Sequence, residues 1–220
     1  NGRGDTETSD ATLSGSISDA QTRLNLGNLS INGIIIKNEV TGFERLLSNQ
    51  KVDTKLAQAT ADLMASAQKK PVVVGSGQNQ ASAPQPMNLT QVEDLLAVPG
   101  FTPAMLNTLK TFVIFLPAAT ATPVNINTAS VEVLAAKFNL NLNDAAALIK
   151  SRNTATFKDI ADFNTRLSGK NLAATDKEAS VTSNYFLING KVHMGRAGLN
   201  MQALIERNEG QTKLVSIREF

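Results

Sequence analysis

The order of hydrophobic patterns along the chain predicts an α+β fold, in which an all-helical domain is inserted into an antiparallel sheet. Alternating apolar and polar residues, typical of strands, follow residue 12 and return between residue 180 and the C-terminus. Between these two stretches the apolar residues recur at helical spacing. Helices that are segregated from strands in this way are typical of α+β proteins.

The first strands are indicated by the alternation of apolar residues with serine. Leu13, Gly15 and Ile17 occupy every second position, which predicts a strand with one apolar side. Scattered leucines and a run of three isoleucines extend the strand pattern to residue 37. Asn32-Gly33, directly before the isoleucines, is a pair typical of a type I′ hairpin turn. We therefore expect residues 13–37 to form strands.

The hydrophobic period then becomes helical. Phe43, Leu46 and Leu47 fit one face of a first helix, and Asp53 is a suitable N-cap for a second. A series of short helices is expected from residue 89 to residue 168, since Ser, Thr and Asn precede each apolar repeat. The N-caps predicted for this series are Thr90, Thr102, Thr128 or Ser130, and Asn143.

Strand patterns return near the C-terminus. Asn189-Gly190 separates the apolar run Tyr185–Ile188 from Lys191–Met194, which predicts a hairpin at this pair. Two more strands are expected on either side of Asn208-Glu209-Gly210. The sheet would therefore be completed by the last forty residues of the chain.

These patterns give a domain organisation with two segments of sheet around one helical insertion. Residues 1–11 are expected to be a disordered or artificially added tail, because they are polar and lack an initiator Met. Residues 12–38 and 180–220 would form the sheet unit, and residues 39–179 the helical domain. Residues 69–88, rich in Pro, Gly and small polar residues, read as a flexible linker within it.

The composition argues against an enzyme and against a metal centre. The chain has no cysteine and a single histidine, His193, which falls in a predicted strand. A thiolate site, a two-histidine site or a cysteine nucleophile is therefore excluded, and any triad would depend on His193. The acidic pairs Glu93-Asp94 and Asp159 with Asp162 fall on polar helix faces. No phosphate-binding glycine motif and no calcium loop occurs.

DNA binding is the alternative function that the sequence leaves open. Leu95–Thr102 resembles the turn of a helix-hairpin-helix motif, in which backbone N–H groups contact a phosphate. A second such turn, Phe138–Leu142, lacks the glycine that permits a close approach of the backbone. Lys150 and Arg152 are the cations that follow it, and the net charge is only +2. These features favour a protein that does not bind nucleic acid.

Three ordered parts of the chain share the pattern of one family. The segments are Ser18–Leu26 with Asn28-Leu29; Leu95–Gly100 with Leu116-Pro117, Val124–Ala129, Val133–Ala135 and Ala146–Arg152; and Val181–Phe186 with Leu204–Arg207 and Val215–Arg218. Together they resemble the minor pseudopilin K family (GspK) of type II secretion systems. The family pattern is matched by Asn25, Asn125, Asn127 and Thr128, whose side chains we expect to bond to backbone groups at turns.

The resemblance implies a pseudopilin-type antiparallel sheet with an inserted helix-hairpin-helix or SAM-like domain. It also implies a non-catalytic role, at the tip of the pseudopilus, together with the minor pseudopilins of the I and J types. The protein would lie in the periplasm, and a preceding hydrophobic helix would anchor it in the inner membrane. This chain departs from the family in one respect. The acidic stretch linked to calcium in the family is replaced by a segment without carboxylates between Asp62 and Glu93. We therefore expect no cofactor and no calcium site.

Overall fold

The computed structural model describes residues 11–68, 87–117, 120–167, 173–194, 197–208 and 210–219. Residues 1–10 of the predicted tail, and residues 69–86 of the predicted linker, lie outside the described residues. The strands are β1 (Ala11–Asp19), β2 (Leu24–Asn25), β3 (Ser30–Ile31), β4 (Ile34–Ile35), β5 (Val113–Ile114), β6 (Val124–Asn125), β7 (Ala179–Ser180), β8 (Tyr185–Met194), β9 (Ala197–Asn208) and β10 (Gln211–Glu219). The α-helices are α1 (Lys37–Asn49), α2 (Lys55–Gln68), α3 (Pro103–Leu109), α4 (Val131–Lys137), α5 (Leu142–Thr154) and α6 (Ile160–Arg166).

The chain divides into two compact units, which confirms the α+β class. Asn1–Ala20 and Ser183–Phe220 form the sheet unit, and Gln21–Thr182 forms the helical unit. The sheet unit is a four-stranded antiparallel sheet in the order β1-β8-β9-β10. The helical unit is an insertion in the sequence, since it enters after β1 and leaves before β8.

The expected hairpin at Asn189-Gly190 is wrong, because β8 runs through this pair without a turn. Asn189 lies opposite Ser16 of β1 on one side and opposite Gln202 of β9 on the other. Neither member of the pair adopts the positive φ that a type I′ turn requires. Pairing along both sides of the strand therefore outweighs the local preference of Asn-Gly for a turn. The expected turn after Asn208 is present, with Gly210 at φ 84°.

The sheet boundaries predicted for the first segment are also wrong, because residues 21–38 belong to the helical unit. Leu24, Leu26 and Leu29 are all buried in its core, so the leucines do not alternate as strand residues would. Short 3-10 helices at Ala20–Thr22 and Leu26–Leu29 replace most of the expected strand. The helical unit also extends to residue 182, since Ala179–Ser180 pairs with β6.

The Asn32-Gly33 turn is confirmed within this segment. Asn32 has φ 54° and Gly33 has φ 77°, as a type I′ turn requires, and the turn joins β3 to β4. The Gln68 side chain at the end of α2 fastens this hairpin to the helix. Its oxygen accepts hydrogen bonds from the Ser30 hydroxyl and the Gly33 N–H, and its nitrogen donates to the Ser30 carbonyl.

The helices of the insertion have the expected apolar faces, but two of their caps differ from the prediction. α1 contacts both α2 and α4, and α4 contacts α5. Asn141 caps α5 instead of Asn143, because the helix begins two residues earlier than expected and the Asn141 side chain accepts the Asp144 N–H. Gln91 instead of Thr90 caps the segment Val92–Ala97, which is a 3-10 helix. Thr102 and Ser130 cap α3 and α4 as expected.

An ion pair lies inside the helical unit, between α1 and α4. Lys137 at the end of α4 donates to the Glu39 carboxylate in the first turn of α1. The two side chains are only 5% and 11% exposed. The cost of removing both charges from water offsets most of their attraction, so the intact pair adds little net stability. Its main effect is to hold α1 and α4 in one arrangement.

We therefore expect the single substitution Glu39→Leu to lower the free energy of unfolding by about 3 kcal/mol, since it leaves a buried ammonium without a partner. The double substitution Glu39→Leu with Lys137→Met should recover most of that loss, because it removes both charges and keeps their volume. Urea unfolding of the three proteins measures the difference. Equal destabilisation in the single and double variants would contradict the account.

Candidate functional site

The strand register separates the sheet into one apolar and one polar face. Side chains at alternate positions of all four strands lie on the same side, because antiparallel partners point in the same direction. The apolar residues that we assign to this face are Leu13, Ile17, Phe186, Ile188, Val192, Leu199, Met201, Ala203, Ile205, Leu214 and Ile217. The charged residues Asp19, Arg207 and Glu219 lie on the same side, at or near the ends of their strands. We call this set the apolar sheet face.

The apolar sheet face is exposed to an unusual degree. Leu13 and Ile17 on β1 are 78% and 69% exposed, and Leu214 and Ile217 on β10 are more than half exposed. Contiguous exposed apolar surface of this kind marks a binding surface in soluble domains. The face therefore is the strongest candidate for a functional surface in the sheet unit.

The opposite face of the sheet is mostly polar and is tied by cross-strand hydrogen bonds. The Tyr185 hydroxyl donates to the Glu206 carboxylate at 3.1 Å, and Gln202 donates to Asn189 at 2.8 Å. Burial, together with the bond to Glu206, raises the pKa of Tyr185 to about 12. The single histidine, His193, lies on this face against Gly198 of β9. These contacts join β8 to β9 within the sheet.

Asn25, the first of the residues that match the family pattern, is buried at the end of β2. Its side-chain oxygen accepts the N–H of Gly27 and the N–H of Leu116, both at 2.9 Å. Its side-chain nitrogen donates to the Asn28 oxygen at 3.1 Å. One amide thus closes a local turn and also holds a segment that is 91 residues away in the sequence.

Asn28 extends this arrangement; it lies in the first matched segment but is not among the predicted site residues. Its oxygen accepts the Thr122 N–H at 2.9 Å and its nitrogen donates to the Thr122 carbonyl at 2.8 Å. The side chain therefore pairs with both backbone groups of one residue, as a neighbouring strand would. Asn164 does the same with Ala174, at 2.8 and 3.0 Å. We call such a pairing an amide clamp.

The other matched residues form a second local arrangement of the same kind. Asn125 ends β6, and its oxygen accepts the Asn127 N–H at 2.9 Å, as the Asn25 oxygen accepts the Gly27 N–H. Asn127 is itself an amide clamp, bonded to the N–H and the carbonyl of Phe157 at 2.8 and 2.9 Å. The Thr128 hydroxyl donates to the Asn125 carbonyl, and Ser130 is the residue that caps α4.

The first turn that resembles a helix-hairpin-helix motif is exposed at Pro99 and Gly100, but Gly100 packs closely against α2. Gly100 has φ 109°, and a Cβ at this position would lie 2.8 Å from Cδ2 of Leu56 on α2. The glycine is therefore required by the packing of the turn on α2 and by its backbone conformation. A phosphate ligand is therefore not needed to explain why glycine occupies position 100.

The second turn uses its backbone groups internally. Asn139 adopts φ 53° in place of glycine, and the Leu140 N–H bonds to the Ala135 carbonyl at 3.0 Å. This bond is that of a Schellman cap, which ends α4. Arg152 points inward and donates to the carbonyls of Ile126 and Ala129, and burial lowers the pKa of its guanidinium. The Leu140 N–H and the Arg152 guanidinium therefore form hydrogen bonds within the protein.

Within the described ranges, no three acidic or histidine side chains lie close enough together to hold a metal ion. Among the helices that the structure describes, none has the length and apolar character needed to cross a bilayer. The features that remain as functional candidates are the apolar sheet face and the surface of the helical unit.

Comparison with known families identifies the chain. Two family models described as type II secretion system (T2SS), protein K, match it in succession, over residues 22–118 and 124–182. Together they span most of the chain.

The chain belongs to the protein K family of the type II secretion system.

The two matches fall within the helical unit, which the structure defines as Gln21–Thr182. The family is that of a minor pseudopilin, a component of the periplasmic secretion machinery. No curated protein matches the chain in a sequence comparison.

The fold of this family member has a counterpart among solved structures. A chain in the crystal structure of the GspK-GspI-GspJ complex, from the type 2 secretion system of enterotoxigenic Escherichia coli, is similar with a TM-score of 0.69. The two are 22% identical, and the match covers 96% of this chain and 81% of that chain. Likeness at this identity shows a common fold, which includes the antiparallel sheet and the helical insertion.

The amide bonds made by Asn25 predict a large and specific effect of its removal. Asn25→Ala would leave the buried N–H group of Leu116 and the partly buried N–H group of Gly27 without acceptors, at a cost of about 2–4 kcal/mol in the free energy of unfolding. Asn107→Ala is a matched control, because Asn107 is exposed and bonds only to the Lys110 side chain. Its stability should be unchanged within about 0.5 kcal/mol. Similar losses in the two variants, measured by urea unfolding, would show that the Asn25 bonds are not needed.

Proposed function

We propose that this chain is a structural, non-catalytic minor pseudopilin that assembles at the tip of the pseudopilus with minor pseudopilins of the I and J types. Membership of the protein K family supports this role. The solved structure of similar fold is a complex of GspK with GspI and GspJ. The observation that carries the proposal in this chain is the apolar sheet face, which an isolated domain would not keep exposed.

In this proposal the apolar sheet face packs against an apolar helix that anchors the protein in the inner membrane. The face extends over all four strands, and its most exposed residues lie on β1 and β10 at the two edges. Burial of one Leu or Ile side chain contributes about 1.5–3 kcal/mol, so a few of these contacts hold a helix firmly. The sheet and the insertion would then lie in the periplasm.

The helical unit would act as a preformed body whose surface is presented to partner subunits. Its loops are fixed by the amide clamps of Asn28, Asn127 and Asn164 and by the Asn25 bonds. A surface built from fixed loops binds with a smaller loss of conformational entropy than one that must become ordered. Binding by shape in this way requires no catalytic group.

The proposal predicts that charge on the apolar sheet face blocks assembly. We expect Leu214→Asp with Ile217→Asp, in the full-length protein, to lower the yield of the complex with the I and J pseudopilins at least about 10-fold, because two carboxylates would be buried without partners. The measurement is co-purification from cells that express all three proteins. Secretion in a strain that lacks the native gene provides a second readout.

Asn200→Asp is the matched control, because Asn200 is exposed on the polar face of β9. It should leave both readouts unchanged, and circular dichroism should show all variants folded. A wild-type protein that forms no complex with either partner at micromolar concentration would refute the proposed role. If the double Asp variant assembles normally, the apolar sheet face takes no part in assembly.

We also propose that this chain folds and assembles without calcium. The sequence has no carboxylate between Asp62 and Glu93, so this segment offers few of the oxygen ligands that calcium prefers. The midpoint of thermal unfolding should therefore change by less than about 1 °C between millimolar calcium and a chelator, because a ligand stabilises only a protein that binds it. An increase of several degrees in calcium would contradict this proposal.

A further inference from the structure

The two edges of the sheet differ in how well they are protected against pairing with another strand. β10, at one edge, has a register shift between Leu214 and Ser216 and carries Lys213 and Arg218. Bulges and charges of this kind are the usual protection of an edge strand. β1, at the other edge, pairs with β8 over nine consecutive residues without a shift. Residues 11–18 contain no charged residue and no proline.

The most exposed apolar side chains of the described sheet lie on this unprotected edge. Leu13 is 78% exposed and Ile17 is 69% exposed, whereas their cross-strand neighbours Val192 and Ile188 are partly buried. A further strand beside β1 would cover both residues on their open side. It would also pair with the outward N–H and C=O groups of β1, which no described strand reaches.

The sequence of β1 identifies an occupant, because the strand is complementary to itself. Gly15 is the central residue of Ala11–Asp19. In an antiparallel pair of two β1 strands with a two-fold axis at Gly15, Leu13 of each copy lies opposite Ile17 of the other. Ser14 lies opposite Ser16 of the second copy on the polar face. All nine residues of the strand are paired in this register.

Neighbouring registers are less favourable. An axis at Ser14 places Leu13 opposite Gly15 and pairs fewer of the described β1 residues with one another, whereas an axis at Ser16 places Leu13 opposite the charged Asp19. The register centred on Gly15 alone gives full overlap and pairs each large apolar side chain with another. We propose that a second copy of this chain adds to β1 in this register, which forms an eight-stranded antiparallel sheet with a continuous apolar face.

The first test is the mass of the purified chain by sedimentation equilibrium, at concentrations from about 10 to about 500 µM. We expect the mass to rise with concentration from 23.4 kDa toward twice that value. A mass that stays at 23.4 kDa over the whole range overturns the proposal. The measurement needs neither partner pseudopilin, so its outcome is independent of the proposed secretion role.

Paired charges test the register. Ser14→Lys with Ser16→Lys should abolish self-association, and Ser14→Glu with Ser16→Glu should do the same, because like charges then face each other across the axis. A mixture of the two variants should form dimers again. Gln211→Lys with Thr212→Lys, exposed on the β10 edge, is the matched control and should dimerise like the unmodified chain. Amide spectra should show that all variants are folded. Persistent dimers in either single-charge variant, or a mixture that stays monomeric, overturns pairing through β1.

Discussion

Hydrogen bonds from buried and partly buried asparagine amides to backbone groups of other segments are the constraint on which the helical unit depends. The β-pairing within this unit consists of two-residue bridges in the part of the chain that the structure describes. Its long connections therefore need other partners for their buried N–H and C=O groups. Asn25, Asn28, Asn127 and Asn164 supply them, and each amide serves as a donor and an acceptor. In the described residues every buried side-chain nitrogen and oxygen has a hydrogen-bond partner.

Sequence patterns predicted the parts of the fold that depend on local interactions. Alternation identified β1, and the Asn32-Gly33 turn formed as expected because its conformation depends mainly on two residues. The Asn189-Gly190 pair has a similar preference, yet β1 and β9 hold it straight. One of the two strands that oppose β8, β1, is distant from it in sequence, so the local pattern could not reveal that pairing would outweigh the turn preference.

The candidate site was predictable to a similar extent. The alternation of Leu13 and Ile17 with serine indicated an apolar side, but only the register shows that β8, β9 and β10 continue it. Asn25, Asn125 and Asn127 were selected by resemblance, whereas Asn28 and Asn164 were missed, because their bonds reach residues that no local pattern connects to them. A glycine within a turn indicated phosphate contact, and the structure instead shows Gly100 against Leu56.

The central claim is that the apolar sheet face is covered when the protein is assembled. The chain lacks cysteine, so one introduced thiol reports on one position without background. The measurement is the rate of maleimide labelling of Ile217→Cys, on the apolar sheet face, and of Asn200→Cys, on the polar face. The account predicts that Cys at 217 reacts rapidly in the isolated protein and much more slowly in its complex with the partner pseudopilins, whereas Cys at 200 remains reactive. Equally fast labelling of position 217 in both states would contradict it.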